Sequence, residues 1–133
     1  MHSSVLKIET GDRLITDVTR RVRDACQGRG DGLVNLFVPH ATCGLALIEV
    51  GSGTEEDLAD ILNDVLPPDD RYRHRHGTPG HGRDHVLPAF VSPSLSVPVL
   101  GGEPQVGTWQ SIVIVDTNVD NRTRTLRISF LAG

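Results

Sequence analysis

The strongest constraint on the fold lies at the end of the chain. Trp109 to Asp116 and Thr123 to Phe130 both alternate in the manner of strands, and the polar link Thr117-Asn118-Val119-Asp120-Asn121-Arg122 separates them. Two such runs around a short polar link predict a strand pair with a hairpin-type turn. Upstream, Val5 to Thr10, Leu33 to Val38 and Cys43 to Val50 also read as strands. Leu95 to Val99 reads as a strand or edge strand, because Pro93 and Pro98 each lack an amide for a ladder bond. Pro39-His40-Ala41-Thr42 breaks the ladder between the second and third of these runs, so His40 falls where the backbone turns.

Only two stretches carry the helical period. Val18, Val22 and Ala25 form one apolar stripe among Arg20, Arg21, Arg23 and Asp24, with Thr16 as the expected N-cap and Gly28 and Gly30 as the stop. Leu58, Ile61, Leu62 and Val65 form the second stripe. Thr54 and Asp57 are placed there like a capping pair, Glu55, Glu56 and Asp57 favour the positive end of the helix dipole, and Pro67-Pro68 ends it. Many strands and two helices predict one α+β domain over residues 1–133.

Composition removes several function classes. At 38% hydrophobic and 23% charged residues the chain is globular rather than disordered. A formal net charge of -4 argues against a nucleic-acid partner, which calls for a basic face. No apolar run reaches the roughly 18 residues of a membrane span, and Met1 to Lys7 lacks a signal-peptide pattern, so a cytoplasmic location is expected. Cys26 and Cys43 form no CxxC pair and read as two reduced, partly buried thiols.

The chemistry-bearing feature is histidine. Four of the six histidines, His74, His76, His81 and His85, lie within twelve positions, the first three inside a segment from Asp69 to Asp84 with no apolar period and the fourth directly after it. A loop of this length inside a small domain is commonly functional. Neutral imidazole binds zinc and similar ions, and it titrates near neutrality. Neither HExxH nor a C2H2 spacing is present, so a metal site and a basic surface loop stay equally open on the residues alone. Glu49, Asp57 and Asp60 are candidate carboxylates, although Asp57 and Asp60 also suit a solvated helix face. Trp109, the single tryptophan, reads as a core residue. Arg122 and Arg124 could hold a phosphate in fork geometry.

Several motifs, taken in order, carry a resemblance. Phe37-Val38-Pro39-His40-Ala41-Thr42 is similar to a strand ending in His-Thr-Thr in the YjbQ/UPF0047 family, and Glu49 follows at that family's acidic position. Tyr72-Arg73-His74 resembles its Tyr-x-His element, Asp84-His85 its Ala-His element, and Gly107-Thr108-Trp109-Gln110 matches its Gly-Thr-Trp-Gln. The chain departs from the family pattern at Ala41, at Ile48, in Arg75 to Gly80 and in Asn118 to Arg122.

The resemblance implies a YjbQ-like α+β fold, with β-sheets packed as a sandwich and two main helices at the side. It implies a homotrimer with histidine-lined clefts near subunit contacts. It implies a divalent metal, with zinc a candidate, on His40, His74 and His85. Its catalytic set is His40, Thr42, Glu49, Trp109, Gln110, Arg122 and Arg124. The activity it implies is weak thiamine-phosphate synthase chemistry, in which a C–N bond forms and pyrophosphate leaves; metal-assisted hydrolysis is a variant. The alternative is a non-catalytic trimer that binds a metal or a small anionic or phosphorylated ligand.

Overall fold

The computed structural model covers residues 1–133. It contains β1 (His2–Glu9), β2 (Ile15–Asp17), α1 (Thr19–Cys26), β3 (Gly32–Phe37), β4 (Cys43–Ile48), α2 (Thr54–Val65), β5 (Ser94–Leu100), β6 (Glu103–Pro104), β7 (Ser111–Asp116) and β8 (Thr123–Ala132). Two 3₁₀ turns, His81–His85 and Leu87–Ala89, lie between α2 and β5. The strands form a five-stranded sheet in the order β1-β8-β3-β5-β6 and a three-stranded sheet in the order β2-β7-β4. The expected α+β sandwich with two helices is therefore present.

The three-stranded sheet is covered on both faces. Ile112 and Ile114 of β7 join Val22 and Cys26 of α1 and the inward residues of the large sheet, such as Val34, Leu36, Leu126 and Ile128. Val113 and Val115 point the other way, against Leu62, Leu66 and Leu87. Burial of both faces explains the uninterrupted Ile-Val-Ile-Val run of β7.

The expected hairpin between the last two strands does not form. β7 pairs with β2 and β4, whereas β8 pairs with β1 and β3, so residues 117–122 carry the chain from one sheet to the other. Local side chains build this crossing. Asp116 Oδ1 accepts the Asn118 amide at 2.9 Å, and Asn118 Oδ1 accepts the Asp120 amide at 2.6 Å. A buried ion pair then ties the two sheets. Arg124 Nε and Nη2 donate to Asp116 Oδ2 and Oδ1 at 2.6 and 2.9 Å, and Nη2 also reaches Thr42 Oγ1 at 2.8 Å. The β3–β4 link, which includes His40, crosses between sheets in the same way.

α2 begins at Thr54, where the sequence placed it, but neither helix carries the expected cap. Thr16 lies in β2 opposite Ile114, and Asp17 Oδ1 instead accepts the Thr19 amide and hydroxyl at 2.9 and 2.6 Å. Thr54 is already helical, and the carboxylate of Glu55 reaches back to the Gly51 amide at 3.0 Å. The buried edge of α2 is Leu58, Leu62 and Leu66; Ile61 and Val65, expected to be inside, are exposed. Gly44 is required by a close approach, because a Cβ there would lie 2.0 Å from the Val91 carbonyl oxygen.

Candidate metal centre

The segment after α2 is shaped by polar anchors rather than by apolar packing. Tyr72 donates its hydroxyl proton to the Pro67 carbonyl at 2.9 Å. Asp70 Oδ1 accepts the Gly80 amide at 3.2 Å. Arg83 Nη1 spans to Asn63 Oδ1 at 2.7 Å and to the Leu66 carbonyl at 3.2 Å, which fixes the 3₁₀ turn to the end of α2. Gly82 lets the two arms of the loop touch: a Cβ there would sit 2.4 Å from Tyr72 Cβ and 2.8 Å from the His74 carbonyl oxygen.

This fold of the loop brings one nitrogen each of His74, His76, His81 and His85 within 4.8 Å of one another. The rings of His74 and His85 have centroids 3.9 Å apart, and so do those of His74 and His76. Nε2 of His81 lies 3.0 Å from Nε2 of His85. Around a tetrahedral ion with metal–nitrogen bonds of about 2.0–2.1 Å, ligand nitrogens stand about 3.3 Å apart. The His81–His85 pair already has about this spacing, and the wider separations in the cluster, at most 4.8 Å, would close around an ion. Three of its members border a loop pocket of about 220 Å³ whose lining contains no hydrophobic residue.

Hydrogen bonding sets which nitrogens face inward. His81 is buried, and its Nδ1 meets Asp84 Oδ2 at 3.1 Å and Asp120 Oδ2 at 3.4 Å. A proton held on Nδ1 by these carboxylates leaves the Nε2 lone pair turned to the cluster, the usual carboxylate–histidine arrangement behind a metal. Asp84 is held in turn by the Thr117 hydroxyl at 2.6 Å, and Asp120 by the Thr78 hydroxyl and amide. His74 Nε2 is sealed from solvent and has no hydrogen-bond partner. An orphaned imidazole nitrogen beside three others is an arrangement that a bound cation would satisfy. The donor set thus fits a borderline transition metal better than a hard, oxygen-seeking one.

The electrostatics favour neutral rings at His74 and His85. Loss of solvent, followed by the neighbouring imidazoles, lowers the pKa of both His74 and His85. Burial raises the pKa of Asp84, against the pull of Thr117 and His81. Thr78, by contrast, holds the Asp120 carboxyl below its usual range.

His40 stands outside this group. Its Nε2 accepts the Thr125 amide at 2.8 Å, which commits the remaining ring proton to Nδ1. Burial and the nearby Arg124 guanidinium lower its pKa, in keeping with a neutral ring. Nδ1 would have to give up its proton before it could ligate, so the ligand trio His40, His74 and His85 is not assembled within one chain. Thr42 and Arg124 are occupied in the buried ion-pair network, out of reach of a ligand. Glu49 is exposed beyond the end of β4, and Arg122 is exposed in the crossing between sheets. Trp109, read as a core residue, is 75% exposed. Gln110 Oε1 accepts the Gly107 amide at 2.8 Å. His76, His81 and the carboxylates of Asp84 and Asp120 are the site members that sequence reasoning left unassigned. The density of histidine signalled the first two, but nothing local signalled Asp120.

Comparison with known proteins agrees with this architecture. The family model "UPF0047 protein YjbQ-like" matches residues 4–133. A UPF0047 protein of Mycobacterium tuberculosis is 58% identical over 133 residues, covering 100% of both chains. One from Archaeoglobus fulgidus is 30% identical over 127 residues, 95% of this chain and 98% of that one. Among solved structures, a hypothetical protein from Aeropyrum pernix superposes with a TM-score of 0.90 at 26% identity, over 100% of both chains. A conserved hypothetical protein from Thermus thermophilus gives 0.84 at 28% identity, over 96% of this chain and 99% of that one. With a family model spanning nearly its whole length and a shared backbone, the chain belongs to the YjbQ-like UPF0047 family.

Proposed function

We propose that this protein binds a divalent transition metal, zinc being the best candidate, through His74, His76, His81 and His85. The carrying observation is the convergence of four imidazole nitrogens, one sealed without a partner and one backed by two carboxylates. When bound, such an ion supplies Lewis acidity toward an oxygen of a phosphorylated ligand. The chain's own part is to hold His74 and His85 neutral, fix the His81 tautomer through Asp84 and Asp120, and keep the loop in register through Arg83 and Tyr72. Weak thiamine-phosphate synthase activity is consistent with this chemistry, since a departing pyrophosphate needs its charge neutralised.

A second reading is a non-catalytic metal- or anion-binding protein. It is favoured by the dispersal of the implied catalytic set: Thr42 and Arg124 are locked in the core, and Glu49 is remote in the chain and exposed. Metal analysis of the purified protein, followed by turnover assays on the pyrimidine diphosphate and thiazole phosphate, separates the two. Bound metal with turnover that falls in His74→Ala and His85→Ala supports the enzyme. Bound metal without turnover selects the second reading, and absence of metal affinity defeats both metal readings.

Assembly as a cytoplasmic homotrimer belongs to the same proposal. The outer face of the five-stranded sheet exposes Val5, Leu33, Phe37 and Leu131, which self-association would cover. No helix is long and apolar enough to cross a membrane. Light scattering on the purified protein reads the subunit number directly.

A further inference from the structure

A second polar cleft lies at the opposite end of β7 from the histidines. It has a volume of about 580 Å³ and is lined by α1 and by the segment leading into β7, again with no hydrophobic residue. The histidine cluster is fastened at Thr117, just beyond the last residue of β7, whereas Ser111, the first residue of that strand, lines this cleft. Six residues of strand separate the two sites by roughly 17–20 Å.

The lining is rich in donors. Arg20 and Arg23 lie three apart on α1, so they share one helix face. Both are exposed, and neither takes part in any of the chain's ion pairs. Thr108 and Ser111 add hydroxyls. Gln110 has its oxygen occupied by the Gly107 amide, which leaves its NH₂ group free to donate. The one carboxylate in the lining, Asp17, spends Oδ1 on the Thr19 amide and hydroxyl. Two guanidinium forks and three neutral donors outnumber the acceptors, in a cleft of the size that takes small ligands.

We infer that this cleft binds the phosphate or diphosphate group of a small ligand, gripped by Arg20 and Arg23 and oriented by Gln110. The site is independent of the histidine cluster and stands whether or not a metal binds there. It also gives a role to part of the Gly-Thr-Trp-Gln motif, which the histidine site leaves unused. The chain's net charge of -4 opposes general anion attraction, so affinity here has to come from this local donor set.

The test is calorimetric titration of inorganic pyrophosphate into the full chain, stripped of metal with a chelator and dialysed. Arg20→Gln and Arg23→Gln should each weaken binding roughly ten-fold, the scale of one lost charge-assisted contact. Arg21→Gln removes the same charge from α1 outside the cleft and should leave binding within about two-fold, as should His74→Ala. Each variant's melting curve verifies that it is folded. Absence of binding at millimolar pyrophosphate overturns the inference. So does an equal loss in Arg21→Gln, which would mean diffuse attraction. Loss in His74→Ala would place the anion at the histidines instead and equally overturn it.

Discussion

Replacing Asp84 by Asn separates the metal role of the histidine cluster from its structural role. In the native chain Asp84 Oδ2 faces His81 Nδ1 at 3.1 Å, and Oδ1 accepts the Thr117 hydroxyl at 2.6 Å. An amide keeps the shape and can still accept from Thr117, but its NH₂ group would face His81. That geometry favours a lone pair on Nδ1 and moves the ring proton to Nε2. There it points at His85 Nε2, 3.0 Å away, into the position the ion would occupy. Metal binding must then expel that proton. Loss of a carboxylate behind a metal-bound histidine typically lowers affinity by about 10–100-fold, or about 1.4–2.7 kcal/mol. Asp120, at 3.4 Å from the same nitrogen, partly compensates, so the lower end of that range is expected. Stability without metal should move the other way. Burial raises the Asp84 pKa, so its charged form is disfavoured in the folded state above that pKa, and removing the charge relieves the strain. Tm of the metal-free variant should hold or rise by roughly 3–5 °C, the equivalent of about 1 kcal/mol in a chain of this size. Zinc titration against a competing chelator at mildly alkaline pH and thermal melts in chelator read the two effects. Wild-type affinity in Asp84→Asn, or a metal-free Tm lowered by several degrees, refutes the tautomer argument.

Truncating one side of the cross-sheet ion pair leaves an uncompensated buried charge. Arg124→Met should therefore cost about 3–5 kcal/mol in urea unfolding, far more than Arg71→Met, whose exposed pair with Asp69 contributes little. Metal-free protein should lose stability on acidification. In the folded chain the pKa values of His74 and His85 lie below the ordinary histidine value of about 6.5, so the unfolded chain binds protons first. Their contribution is full above about 6.5 and fades as pH falls through that value toward the folded pKa. Metal affinity should fall over the same interval, and pH-resolved melts with matched zinc titrations check both; a flat profile would exclude imidazole ligands. Gly82→Ala should abolish tight metal binding while far-UV circular dichroism stays native, because the displaced atoms belong to the loop and not to either sheet.

The six longer strands and both helices of this fold were legible because each carries a period that burial enforces, whereas the short β2 and β6 are too brief to show one. Val18 just before α1, Val22 on it, and the run before Asp116 declare their faces directly. Partnership between strands was not legible. Nothing in Thr117 to Arg122 distinguishes a hairpin from a crossing between sheets, since both use turn-forming Asn and Asp. The deciding contact, Asp116 with Arg124 and Thr42, joins residues from three strand ends and has no sequence signature. Ile61 and Val65 were misplaced for a related reason: the helical stripe was wide enough to choose either edge, and tertiary packing chose Leu58, Leu62 and Leu66. At the candidate site, clustering along the chain pointed to His74, His76, His81 and His85. The carboxylate from Asp120 arrives only through the crossing that the sequence did not reveal, and His40 is withdrawn by a hydrogen bond to the Thr125 amide.

One structural element underlies both the sandwich and the loop site. β7 is buried on both faces and ends at Asp116, which clamps the sheets together through Arg124. The next residue, Thr117, holds the carboxylate that orients His81, and Asp120 follows within the same turn. A four-histidine cluster on a long polar loop would ordinarily be too mobile to preorganise an ion site. Here its orienting groups hang from the end of a strand buried on both faces, so the loop is positioned from behind rather than by its own packing. This also separates fold from chemistry. A TM-score of 0.90 at 26% identity shows that the same backbone accommodates very different sequences. Changes between Arg73 and Gly82 touch the loop and its contacts with Asp120 and leave the Asp116–Arg124 clamp intact, so the loop can exchange His74, His76 and His81 without disturbing the sandwich core.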